Sequence, residues 1–111
     1  MKLSMREASG KLGVKPKTLR RYFDNSTQPP AIEKIGRSAY IDSNDFNKWI
    51  ERIAGKPIKE DDVFLKSDAV MQLYGKSYTW LWYVVKEGEL AKPFTISRTN
   101  FWIKSELEGI A

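Results

Sequence analysis

Ser4, Glu7, Gly13 and Pro16 constrain residues 3–30 (LSMREASGKLGVKPKTLRRYFDNSTQPP) more tightly than any comparable set constrains the rest of the chain. Ser4 followed three residues later by Glu7 has the spacing of a capping box, so a helix is expected to start there. Met5, Ala8, Leu12, Val14 and Leu19 supply apolar positions for two short helices packed on each other around a turn at Gly13. Pro16 suits the start of the second helix, where an amide hydrogen has no intrahelical partner to lose. Lys15, Lys17, Arg20 and Arg21 cluster on that second helix. The pattern predicts a helix-turn-helix whose second helix is basic, an arrangement suited to a DNA groove.

Residues 32–42 (IEKIGRSAYID) alternate apolar and polar side chains on both sides of Gly36-Arg37-Ser38, which predicts a hairpin with a basic tip. Asp42 or Ser43 then caps a further helix, with Phe46, Trp49, Ile50 and Ile53 on one face. Helix, helix, hairpin and helix in that order spell a winged helix-turn-helix.

These residues resemble the MerR-type and phage excisionase-like winged-helix DNA-binding domains. The resemblance is carried by LSMREA, by LGV followed by KPKTLRRYF, by Pro29-Pro30, by IEKIGRSAYID and by DFNKW, and it covers roughly the first half of the chain. It implies a recognition helix in the major groove and a wing on the adjacent minor groove or phosphate backbone. On that footing Lys15, Lys17, Thr18 and Arg21 would read bases, Lys11 and Arg20 would clamp the backbone, and Lys34, Arg37 and Ser38 would make the wing contact. The cysteines and long coiled coil of metal-sensing MerR regulators are not found here, so no inducer-sensing role is implied.

The pattern recurs. A shift of 62 residues aligns Leu3 with Leu65, Ala8 with Val70, Gly13 with Gly75, Thr18 with Trp80 and Leu19 with Leu81. Small loop-length differences then bring Pro30 near Pro93, Arg37 to Arg98, Ile41 to Ile103, Ser43 to Ser105 and Phe46 to Leu107. The second copy is similar to small phage regulators of the AlpA type, with KEGE and KP ahead of a hairpin whose tip is Ser97-Arg98-Thr99-Asn100. The expected fold is mainly α with small β-hairpin wings, a tandem winged helix-turn-helix of the α+β class. The expected boundaries are 1–55 and 56–111, with residues 54–63 (AGKPIKEDDV) as linker. Units of this size bury limited cores, so the two are expected to pack on each other with aromatic side chains at the seam.

Charge divides unequally between the copies. Residues 1–55 hold 11 Lys or Arg against 6 Asp or Glu, a net of +5, while residues 56–111 hold 8 against 8, a net of zero. Because phosphate contacts supply most non-specific affinity for DNA, the first copy is the expected anchor. In the second copy Trp82 and Tyr83 stand where the first has Arg20 and Arg21. Three readings compete for Tyr78, Trp80, Trp82, Tyr83, Phe101 and Trp102: core, protein interface, or stacking on bases. Core plus interface is favoured. Lys76, Ser77, Tyr78 and Thr79, with Trp82 and with Arg98, Thr99 and Asn100 of the second wing, define a second surface for DNA or a partner.

Enzyme chemistry finds little footing. The chain has no cysteine and no histidine, so zinc sites built on them, thiol nucleophiles and histidine triads are absent from the sequence. Neither Gly55-Lys56 nor Gly75-Lys76 has the upstream glycine of a phosphate-binding P-loop, and no cofactor is expected. Nothing resembles a signal segment or a span, which leads to the expectation of a cytoplasmic protein with no membrane partner. The sequence therefore suggests a duplex DNA-binding protein of a phage or mobile element, acting in transcription regulation or, like an excisionase, in DNA recombination. An integrase, a polymerase or its own copies on DNA are the candidate protein partners. Two alternatives stay open: a protein-binding adaptor using the aromatic copy, and the DNA-recognition part of a packaging machine like a small terminase.

Overall fold

In a computed structural model of the chain, which describes residues 1–107, the capping box at Ser4 is closed from both sides. Ser4 Oγ accepts from the Glu7 amide at 3.0 Å, and Glu7 Oε1 accepts from the Ser4 amide at 3.1 Å. The helix it opens, α1 (Met5–Lys11), buries Ala8 and Ser9. The turn that follows needs a left-handed residue, supplied by Gly13 at φ 65°, and α2 (Pro16–Asp24) then begins on its proline. β2 (Ile32–Ile35) and β3 (Ser38–Asp42) form the hairpin, and α3 (Ser43–Ala54) starts under the Asp42 carboxylate, which accepts from the Asn44 and Asp45 amides.

The residues before the capping box do more than precede a helix. Lys2–Ser4 is a strand, β1, paired antiparallel with β3 in the register Leu3↔Ile41, so the hairpin is extended to a three-stranded sheet of order β1-β3-β2. Leu3 and Ile41 are both buried, and this pair fastens β1 to the hairpin with α1 packed on both strands. Phe23, Phe46 and Trp49 complete the core as a ring cluster, with Phe23 edge-on to Trp49 at 4.9 Å.

The second half repeats the order. β4 (Phe64–Lys66), α4 (Ser67–Tyr74), α5 (Tyr78–Lys86), β5 (Phe94–Ile96) and β6 (Thr99–Ile103) build a second antiparallel sheet, β4-β6-β5, followed by a short 3₁₀ helix at Lys104–Leu107. Its core gathers Val70, Leu81, Val84, Val85, Leu90, Trp102 and Leu107, with Leu65, Met71, Tyr74, Trp80 and Trp82 packed around them. Among the described residues the chain is thus α+β, with five α-helices and two three-stranded antiparallel sheets. No helix among them is long and apolar enough to cross a membrane.

The contacts divide the chain at Met1–Asp61 and Asp62–Ala111, later than the boundary expected after residue 55. Residues 56–61, read as linker, return to the first unit. Ile58 is buried, its amide donates to Glu51 Oε1 at 2.9 Å, and the Glu60 carboxylate accepts from Ser43 Oγ at 3.1 Å. A lone isoleucine among charges carries no periodic signal, which is why the segment looked unstructured. The second unit's last four residues, 108–111, lie outside the described residues. The charge division survives the shift, since residues 1–61 hold 13 Lys or Arg against 8 Asp or Glu, still +5.

Strand register also corrects the repeat alignment. Leu3 pairs with Ile41 and Leu65 with Trp102, so Trp102, not Ile103, is the counterpart of Ile41. The Ser43 amide donates to the Met1 carbonyl and the Lys104 amide to the Val63 carbonyl, both at 2.8 Å, which makes Lys104 rather than Ser105 the counterpart of Ser43. One residue fewer lies between α5 and the second hairpin than between α2 and the first, the same loop-length difference that aligns Arg37 with Arg98, and it carries through Ile41 and Ser43 as well.

Candidate nucleic-acid interface

Helix α2 has two faces because its side chains repeat every 3.6 residues. Leu19, Tyr22 and Phe23 are buried, and this leaves Lys17, Arg20, Arg21 and Asp24, spaced three and four apart, on one outward stripe with Thr18 beside it. Lys17, Arg20 and Arg21 are exposed and Thr18 is half-buried. Together with Asp24 these side chains wall an open depression of about 390 Å³. Lys15 sits exposed at the N-cap and places no side chain on the first-turn amides, unlike Ser4 in α1 or Asp42 in α3. Pro16 carries no amide hydrogen, so the free first-turn donors are the Lys17 and Thr18 amides, at the positive end of the helix dipole.

The base of α2 is held by contacts that sequence reasoning did not anticipate. Ser26 Oγ donates to the Tyr22 carbonyl at 2.8 Å and accepts from Trp49 Nε1 at 3.2 Å, and Arg52 donates to the Gln28 carbonyl at 2.9 Å. Asn25, Ser26, Thr27 and Gln28 face Trp49, Arg52 and Ile53 of α3 across a hollow of about 380 Å³. The spacing of Trp49 and Arg52 on one helix face was the available signal, but its partner loop lies more than twenty residues earlier in the chain. The result is a basic helix whose C-terminal end is tied to α3 by side chains.

The first hairpin presents Lys34, Arg37 and Ser38, all exposed. Ile35 pairs with Ser38, so the loop is the two residues Gly36 and Arg37, one shorter than the tip read from sequence. Gly36 supplies the positive φ of 64° that this tight turn needs. Lys11 stands apart from the stripe. It is half-buried, and its ammonium donates to the Glu60 carbonyl at 2.9 Å, a structural tie to the returning segment.

In the second unit the corresponding stripe on α5 is Thr79, Trp82, Tyr83 and Lys86. Ser77 is the N-cap, its Oγ accepting from the Trp80 amide at 3.3 Å, and Lys76 lies exposed in the turn before it. Phe101 and Trp102 are core, while Trp80 and Trp82 are half-buried against it. Trp82 lies between Tyr78 at 6.0 Å and Trp102 at 5.9 Å between ring centres. Tyr78 and Tyr83 remain 56% and 60% exposed.

The second wing differs at its tip. Its loop is Ser97 and Arg98 alone, with Thr99 and Asn100 in β6, where Asn100 Oδ1 accepts from Thr95 Oγ1 at 2.9 Å. Ser97 and Arg98 have φ of 47° and 72°, left-handed conformations that side-chain-bearing residues adopt at a cost. No family model matches the chain, and no curated protein or solved structure matches it either.

Proposed function

We propose that the chain is a tandem winged helix-turn-helix protein whose first unit binds duplex DNA through α2. The observation that carries this reading is the outward stripe of Lys17, Arg20 and Arg21, with Thr18 beside it, on a helix anchored by Leu19, Tyr22 and Phe23. Arginine offers a planar pair of donors to guanine O6 and N7 and is the commonest specific reader of the major groove. Lys15, Lys17 and Thr18 lie toward the end of the helix that enters first, and the uncapped first-turn amides of Lys17 and Thr18 donate to a phosphate oxygen. Arg37 and Lys34 on the hairpin extend the basic surface beyond α2, with Ser38 at the loop edge.

Concentration of the net +5 in residues 1–61 supports the first unit as anchor, and the neutral second unit as support. The resemblance to excisionase-like and MerR-type domains extends the reading to a regulator or recombination factor of a phage or mobile element. A titration of labelled duplex DNA by fluorescence anisotropy at several salt concentrations tests it. Affinity should fall linearly with salt on a logarithmic scale, and replacing Arg20 and Arg21 together by alanine should abolish it.

A further inference from the structure

We infer that two copies of this chain associate through the exposed face of α5, the helices running antiparallel about a two-fold axis near Trp82 and Tyr83. Such association belongs to the free protein and does not require DNA. In the first unit the same stripe is Lys17, Arg20, Arg21 and Asp24, and two such faces would repel each other. On α5 it is Thr79, Trp82, Tyr83 and Lys86, flanked by the exposed Tyr78.

Tyrosine and tryptophan are the side chains that anchor protein interfaces, and the unit that carries them has no net charge to oppose pairing. DNA would fit the same face poorly. Glu87 and Glu89 follow the helix directly, and both are exposed.

The charges at the two ends of α5 set the direction. Lys76 precedes the helix, and at the other end Lys86 is followed by Glu87 and Glu89, so that end carries a net charge of −1; all four side chains are exposed. A parallel pair would bring like charges together at each end. An antiparallel pair brings each Lys76 to the net-negative end of the other copy and keeps the two Lys86 side chains apart, and it also opposes the two helix dipoles favourably. Tyr83 lies near the middle of a nine-residue helix, so in an isologous pair it meets its own counterpart near the axis, beside the half-buried Trp82.

A helix about 13 Å long offers less than the roughly 1,600 Å² buried in a standard interface, so the pairing is weak, in the high micromolar to millimolar range. Sedimentation equilibrium of the full, DNA-free chain over that range should show monomer giving way to dimer. Proton–nitrogen NMR shifts that move with concentration should fall on residues 76–89. Tyr83→Arg restores the residue type found on α2 and should weaken association at least about tenfold. Lys76→Glu should weaken it as well, and Lys76→Glu combined with Glu87→Lys and Glu89→Lys should restore it, with circular dichroism confirming that each variant is folded. A chain that stays monomeric throughout, or a dimer indifferent to both Tyr83→Arg and the charge exchange, overturns the inference.

Discussion

Arg21 and Tyr83 hold the same place in successive units: each is the sixth residue of a nine-residue second helix, and each is exposed beside a buried pair, Tyr22-Phe23 in one and Val84-Val85 in the other. The two helices share the position and differ in the chemistry of the side chain that fills it. A guanidinium there can hold a phosphate or a guanine; a phenol can pack against another apolar surface while keeping its hydroxyl wet.

On α2 the two arginines separate by role. Arg20→Ala, if it removes a phosphate contact, weakens all duplex sequences alike and lowers the logarithmic salt slope by about one. Arg21→Ala, if it removes a base contact, costs about 1–3 kcal/mol at one base pair and relaxes choice there. Selection from randomised duplexes with each variant distinguishes the two patterns, and wild-type affinity in both variants would remove α2 from the interface.

The boundary at residue 61 has a measurable consequence. A fragment of residues 1–55 loses the buried Ile58 side chain and the ties from Ser43, Glu51 and Lys11 to the returning segment. Burial of an isoleucine contributes about 1.5–3 kcal/mol, so residues 1–61 should exceed residues 1–55 in unfolding free energy by roughly that amount. Urea denaturation of the two fragments measures the difference. Equal midpoints would mean that residues 56–61 contribute nothing to the first unit.

The second wing tip stores strain. Replacing Ser97-Arg98 by Asn-Gly, the pair most favoured where both loop residues have positive φ, should stabilise the second unit by about 1 kcal/mol. Thermal unfolding of the full chain followed by tryptophan fluorescence would register it, since Trp80, Trp82 and Trp102 all lie in that unit. An unchanged or lowered midpoint would contradict the assignment of strain.

Tyr74 should make the stability of the second unit sensitive to alkali. Its hydroxyl donates to the Leu107 carbonyl at 2.6 Å, and burial raises its pKa above the ordinary 10.0. A phenol whose folded pKa is raised stabilises the fold fully below the unfolded value, and that contribution is lost as pH rises through the higher folded value. Stability should therefore decline above pH 10, more steeply in the parent than in Tyr74→Phe. Parallel decline in both would exclude Tyr74 as the cause.

What the sequence made legible was local. Ser4 with Glu7, Pro16, Gly36 and Asp42 each act within a few residues of themselves, and each does in the structure what its spacing implies. Strand β1 was missed because three residues show no alternation, and its pairing depends on Ile41, far along the chain. Ile58 was missed for a similar reason, its significance resting on its docking against the first unit. The mixed fate of the aromatics was legible only in outline. Phe101 and Trp102 fall on the strand at the centre of its sheet, while Tyr83 differs from the buried Val84 only by its phase on the helix. The basic stripe on α2 was readable as composition, but its anchoring through Ser26, Trp49 and Arg52 needed three dimensions.

The central claim is that the first unit's basic helix, and not its aromatic counterpart, carries DNA affinity. Anisotropy titration of a labelled duplex at moderate salt, comparing the full chain with Arg20→Ala/Arg21→Ala and with Lys76→Ala/Arg98→Ala, tests it most directly. The account predicts that the first pair of substitutions abolishes binding and that the second leaves affinity within about threefold of the parent, well under the tenfold that 1.4 kcal/mol represents. Loss of binding in the second variant with retention in the first would contradict it and transfer the DNA-reading role to the second unit.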